Sequence, residues 1–156
     1  MIFNTTLLTT YKTLLQTTDL QLAYQEFSRF FRYLRDELEK QFPDCKFQSG
    51  ISEKALDYTY FSFTNKRMKA NGLKIVVLFN HKPFQIEVFI SGYNRQYQCL
   101  WAKRLMANPP FELSLDPAHT DYIVRIPVEL DISNGDNVAM LKKVIDQCMQ
   151  LLNPYF

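Results

Sequence analysis

The sequence predicts an α+β fold: one mostly antiparallel sheet of four or five strands packed by about four helices. Three observations predict it. Two long segments, 20–42 and 138–152, repeat apolar residues at helical spacing. Four segments between them are rich in β-branched and aromatic residues or alternate strictly. The connection after residue 79 is short enough to demand an antiparallel hairpin. With 156 residues, 47% apolar and 22% charged, the chain suits one globular domain over 1–156. Residues 1–18 form a short N-terminal helical segment within it.

The elements follow in the order α-α-β-β-β-α-β-α. Leu7, Leu8, Tyr11, Leu14 and Leu15 share one face of a first helix over 5–16, capped by Asn4 or Thr5. The second helix carries Leu20, Ala23, Tyr24, Phe27, Phe30, Phe31, Leu34, Leu38 and Phe42 on one stripe and charges on the other. Pro43 stops it, because proline lacks an N–H and pushes Phe42 out of helical backbone. Residues 46–51 suit an extra edge strand. In 57–64, Thr59, Phe61 and Phe63 face one way and Tyr58, Tyr60 and Ser62 the other. Residues 65–70 suit one helical turn, and Asn71-Gly72 marks a chain reversal.

Residues 73–79 are almost continuously apolar, as in a central strand buried on both faces. Residues 84–90 alternate, with Phe84, Ile86, Val88 and Ile90 opposite Gln85, Glu87 and Phe89. Gly92 opens a third helix over about 93–107, stopped by Asn108-Pro109-Pro110. Residues 108–121 read as an irregular loop. Residues 122–130 alternate again, and Pro127 marks an edge or a bulge because it cannot donate to a ladder. Residues 133–136 cap a last helix with Val138, Leu141, Val144, Ile145, Cys148, Leu151 and Leu152 inward.

A net charge of +2 is too balanced to imply nucleic acid or a membrane surface as partner. Cys45, Cys99 and Cys148 lie far apart and lack metal-ligand spacing, which suits free thiols in the cytoplasm and no metal. The N-terminal segment has no basic region before an apolar run, unlike a signal peptide. No apolar stretch is long enough to span a bilayer. No glycine-rich phosphate loop, nucleophile elbow or paired-histidine metal motif occurs, so no cofactor is implied.

Several segments carry a family resemblance. They are Asp19–Tyr24, the run Asp57-Tyr58-Thr59-Tyr60-Phe61-Ser62-Phe63, Leu73-Lys74-Ile75 with Phe79 and His81, and Phe84 with Glu87-Val88. Ser91-Gly92-Tyr93-Asn94 with Gln96, Gln98 and Trp101 complete the set. On these residues the chain resembles a family of small bacterial cytosolic proteins labelled a domain of unknown function. The resemblance implies a shared fold and a cytosolic setting, and no activity.

The candidate site is the junction of the third strand and third helix. Asn94, Gln98 and Trp101 stand at i, i+4 and i+7, hence on one helical stripe. Two amides beside an indole offer directional hydrogen bonds and an apolar wall, as a small-molecule pocket needs. Arg95 and the helix N-terminus add positive charge for an anion. Glu87 borders the junction, and Tyr58 or Tyr60 supplies a flat wall. The expected function is non-catalytic binding of a small ligand or protein partner; the aromatic content of 15% also suits self-association. His81 with Lys82 forms a candidate acid–base pair, against the plainer reading of a turn histidine.

The alternative is an enzyme. The element order is similar to the core of restriction-endonuclease-like proteins. That resemblance implies an acid on the second core strand and Glu-x-Lys on the third, gathering Mg²⁺. Glu87 fits, Phe89 occupies the lysine position, and residues 73–79 contain no acid, leaving Asp57 as the nearest upstream carboxylate. This reading is a metal-dependent nuclease-like enzyme with a degenerate active site.

Overall fold

A computed structural model describes residues 1–133 and 135–156. Its contacts divide the chain into two compact units, Met1–Asp36 and Glu37–Phe156. The first contains α1 (Thr5–Thr17) and most of α2 (Leu20–Gln41). Asn4 caps α1 by accepting the Leu7 N–H at 3.0 Å. None of α1 is buried, so its stripe of Leu7, Leu8, Tyr11, Leu14 and Leu15 is exposed. In α2, Phe31, Leu34 and Leu38 are fully buried, as the 3.6-residue spacing requires.

The second unit is built on a seven-stranded antiparallel sheet. The strands are β1 (Lys46–Phe47), β2 (Ser52–Lys54), β3 (Tyr58–Thr64), β4 (Leu73–Asn80), β5 (Gln85–Gly92), β6 (Glu112–Leu113) and β7 (Val124–Val128). Their order is β1-β3-β4-β5-β7-β6, with β2 also on β3. The helices are α3 (Lys66–Ala70), α4 (Arg95–Arg104) and α5 (Asn137–Leu152). The sheet therefore exceeds the four or five strands expected. The additional strands are two or three residues long, too short to show an alternation in sequence. The segment 46–51 contributes only its first two residues to β1, and β2 starts after it; β6 lies in the stretch read as loop. Including α1, five α-helices form among the described residues, where about four were expected.

Register makes the sheet two-faced. Phe61, Ile75, Val77, Phe79, Ile86, Val88, Ile90 and Val124 are fully buried on one face. Burying one such side chain contributes about 1.5–3 kcal/mol, so this face is the core. α5 packs on β5 and β7 there through Leu141, Ile145 and Cys148. Phe42 stacks on Phe63 at 5.9 Å. The opposite face carries Tyr58, Tyr60, Lys74, Val76, Leu78, Glu87, Phe89 and Arg125 in register. β4 is thus buried on one face and only partly covered on the other, where Lys74 and Leu78 remain accessible.

Pro127 pairs opposite Glu87, yet β6 reaches only Val124 and Arg125. The outer side of β7 is unpaired at Pro127, so its missing N–H costs no ladder bond there. α5 is capped by Asp136, which accepts the Ala139 N–H at 3.0 Å. The other part of that expected cap, at position 134, lies outside the described residues.

Candidate functional site

Two glycines set α4 against the sheet. Gly92 ends β5, and a Cβ there would lie 2.5 Å from the Gln98 backbone nitrogen. Gly72 is its register neighbour's predecessor, with φ +69°, and a Cβ there would land on the Tyr97 ring. Such an approach and such a φ both require glycine. Polar bonds complete the attachment. The Gly92 N–H donates to Gln98 Oε1 at 2.8 Å, and Trp101 Nε1 donates to the Asn71 carbonyl at 2.9 Å. The Tyr93 N–H donates to the Gly72 carbonyl at 2.8 Å.

This docking leaves a cleft of about 620 Å³ between the start of α4 and the open sheet face. Val76, Leu78 and Phe89 line it from the sheet, with Tyr58, Tyr60 and Tyr93 as aromatic walls. The Tyr58 and Tyr60 rings lie 6.0 Å apart. Lys54, Lys74, Arg95 and Asp121 are its charged residues, and Asn94, Ser91 and Gln98 its polar ones. The volume falls in the range of small-molecule sites, about 300–1,000 Å³.

Of the seven residues singled out from sequence, the cleft brings together Tyr58, Tyr60, Asn94, Arg95 and Gln98. Several of their polar groups also have partners in the fold. Asn94 caps α4 by accepting the Tyr97 N–H at 3.0 Å. Arg95 pairs with Asp121 at 2.9 Å and donates to the Thr120 carbonyl. Gln98 is buried, and its Nε2 donates to Thr120 at 3.3 Å.

Trp101 and Glu87 do not line the cleft. Trp101 is 1% exposed and packs edge-on against Tyr155 and Phe156. Glu87 lies on the open face, opposite Leu78 and Pro127. Burial raises its carboxyl above the usual range, Arg125 opposes this, and Glu112 adds to it. Arg125 in turn is held by Glu112, whose carboxylate accepts its Nε–H at 2.6 Å.

His81 joins the other side of the sheet. Its Nε2 is 2.8 Å from Thr59 Oγ1, and its ring meets Phe79 edge-on at 5.0 Å. Burial lowers its pKa, against the pull of Glu53 and Asp57. Asp57 precedes β3 in step with Thr59 and Phe61, whereas Glu87 is in step with Phe89 on the open face. Among the described residues, no three His, Cys, Asp or Glu side chains gather to hold a metal ion. No described helix is long and apolar enough to cross a membrane. The cysteines are free thiols.

Sequence reasoning missed Lys54, Lys74, Val76, Leu78, Phe89 and Asp121. The single lysine in the apolar run 73–79 is the signal for four of them. It marks one face of β4 as accessible, and alternation then adds Val76 and Leu78 and, across the hairpin, Phe89.

No curated protein and no solved structure matches the chain. A family model described as a domain of unknown function (DUF7000) matches residues 4–154, nearly the whole chain, which belongs to that family.

Proposed function

We propose that this domain binds a small planar molecule bearing an acidic group, without transforming it. The observation that carries the reading is the make-up of the open-face cleft. An apolar floor of Val76, Leu78 and Phe89 meets Tyr58, Tyr60 and Tyr93, and Lys54 and Lys74 stand beside it. Rings stack on such walls, and lysines hold an anion. Arg95 is already paired with Asp121, so the lysines are the better anion partners. Glu87 would border the ligand rather than touch it, and Trp101 would act by fixing α4.

The test is native mass spectrometry of the protein purified from its own host, without denaturation. The expected result is a retained small molecule that absorbs in the ultraviolet and carries negative charge. Its retention should fall in Tyr60→Ala and in Lys74→Ala. A retained molecule unaffected by either substitution would place the site elsewhere.

A further inference from the structure

A second cleft, of about 630 Å³, adjoins the first and shares Lys74 and Tyr93 with it. It lies where β3 passes into α3. Lys46, Lys66, Lys69 and Lys74 line it, with Asp44 as its one acid. Four lysines against one aspartate give this cleft +3, more than the +2 of the entire chain. The other residues together are therefore net negative, so the cation excess is concentrated here. Among the described residues none of these four lysines forms an ion pair, unlike Lys40 and Lys142. Lys46 and Lys74 sit on either side of Thr64 in neighbouring strands, about 10 Å apart at ordinary strand spacing. Lys66 and Lys69, at i and i+3, share a face of α3.

The polar groups in the cleft add no negative charge. Asn65 Oδ1 already accepts the Met68 N–H, and Thr64 Oγ1 donates to the Leu73 carbonyl. Burial and Asp44 push the Cys45 thiol up to about 11, so it stays neutral at physiological pH. A lysine on β1 alone would serve to blunt an edge strand. That role does not account for Lys66 and Lys69 on a helix or for Lys74 on a strand paired on both sides.

We infer that the lysine cleft is a phosphate-chain site, and that the ligand joins a planar ring to a di- or triphosphate, as a nucleoside di- or triphosphate does. This rests on the reading of the open face as a ring-binding platform. Rows of side chains on one face lie about 7 Å apart along the strands. Tyr60 is two rows from Lys74, roughly 14 Å, which a nucleoside with its phosphates can bridge.

Calorimetric titration tests this with three probes: inorganic tripolyphosphate, adenosine and ATP, all without divalent cations. The Lys46→Ala/Lys66→Ala/Lys69→Ala variant changes exposed side chains only. It should weaken tripolyphosphate and ATP at least tenfold and leave adenosine unchanged. Tyr60→Ala should weaken adenosine and ATP and leave tripolyphosphate unchanged. Failure of wild-type protein to bind tripolyphosphate, or equal binding by the lysine variant, overturns the phosphate site while adenosine still reports on the platform. Lysine-dependent tripolyphosphate binding with ATP indifferent to Tyr60→Ala sustains the phosphate site and refutes the platform. Tight binding of a ten-residue oligouridylate without any of tripolyphosphate would overturn the inference in favour of a nucleic-acid strand.

Discussion

Gly92→Ala should destabilise the protein although alanine is ordinarily the better residue. Removing a glycine restricts the unfolded chain and by itself stabilises by about 0.4–1 kcal/mol. At Gly92 the added methyl would stand 2.5 Å from the Gln98 nitrogen and 3.0 Å from Gln98 Cα. Those are backbone atoms of α4, which cannot swing aside as a side chain can. The helix must move, at a typical overpacking cost of about 1–3 kcal/mol. Movement also breaks the 2.8 Å bond from the Gly92 N–H to Gln98, costing about 1–3 kcal/mol more if a buried partner is left unsatisfied. The net loss is then about 1–5 kcal/mol. Urea unfolding reads it: with a slope of about 2 kcal/mol/M, the midpoint falls by roughly 0.5–2.5 M. Gly50→Ala is the control, because nothing lies within 4 Å of its added carbon. It should raise the midpoint slightly. Equal or greater stability of Gly92→Ala would refute the claim that glycine is what lets α4 dock on β5.

Two further outcomes follow from strain and burial. Ala55 and Leu56 both have positive φ in the turn that joins β2 to β3, where the Asp57 N–H donates to Lys54. Leu56 is 44% exposed, so Leu56→Gly sacrifices little packing and should stabilise by about 1 kcal/mol in thermal or urea unfolding. Glu87 has a folded pKa above its unfolded value, so its ionisation disfavours the fold. Stability should fall as pH rises from the unfolded carboxyl pKa through the raised folded one, then level off. Glu87→Gln should remove that slope and be more stable at neutral pH by ~0.2–0.5 kcal/mol, small because the group is partly solvated. A variant no more stable at pH 7 than at pH 4, relative to the unsubstituted protein, would contradict this.

Long periodic segments were the most legible part of the sequence. The stripe of Phe31, Leu34 and Leu38 and the alternation of Ile86, Val88 and Ile90 each demanded one buried face, and each has it. β1, β2 and β6 were not legible as such, since pairing with β3 or β7 defines them and two or three residues hold no period. At the site, the four-residue spacing of Asn94 and Gln98 put both at the start of α4, as the N-cap and one turn in, where both line the cleft. What Trp101 turns toward was not local: it depends on the Asn71 carbonyl and the C-terminal rings, 30 and more residues away. Lys74 was hidden for a related reason. An apolar run conceals which of its faces is covered until the neighbouring strands and helices are placed.

The central claim is that the open sheet face, and not the helix-covered one, receives a planar anion. Amide chemical shifts during titration with 1-naphthalenesulfonate, with naphthalene as the uncharged comparison, test it most directly. The account predicts saturable shifts at Tyr58, Tyr60, Leu78, Phe89 and Ser91, stronger for the sulfonate, and a weaker response in Lys74→Ala. Shifts centred instead on α5 around Leu141 and Ile145, or equal binding of the two probes, would contradict it.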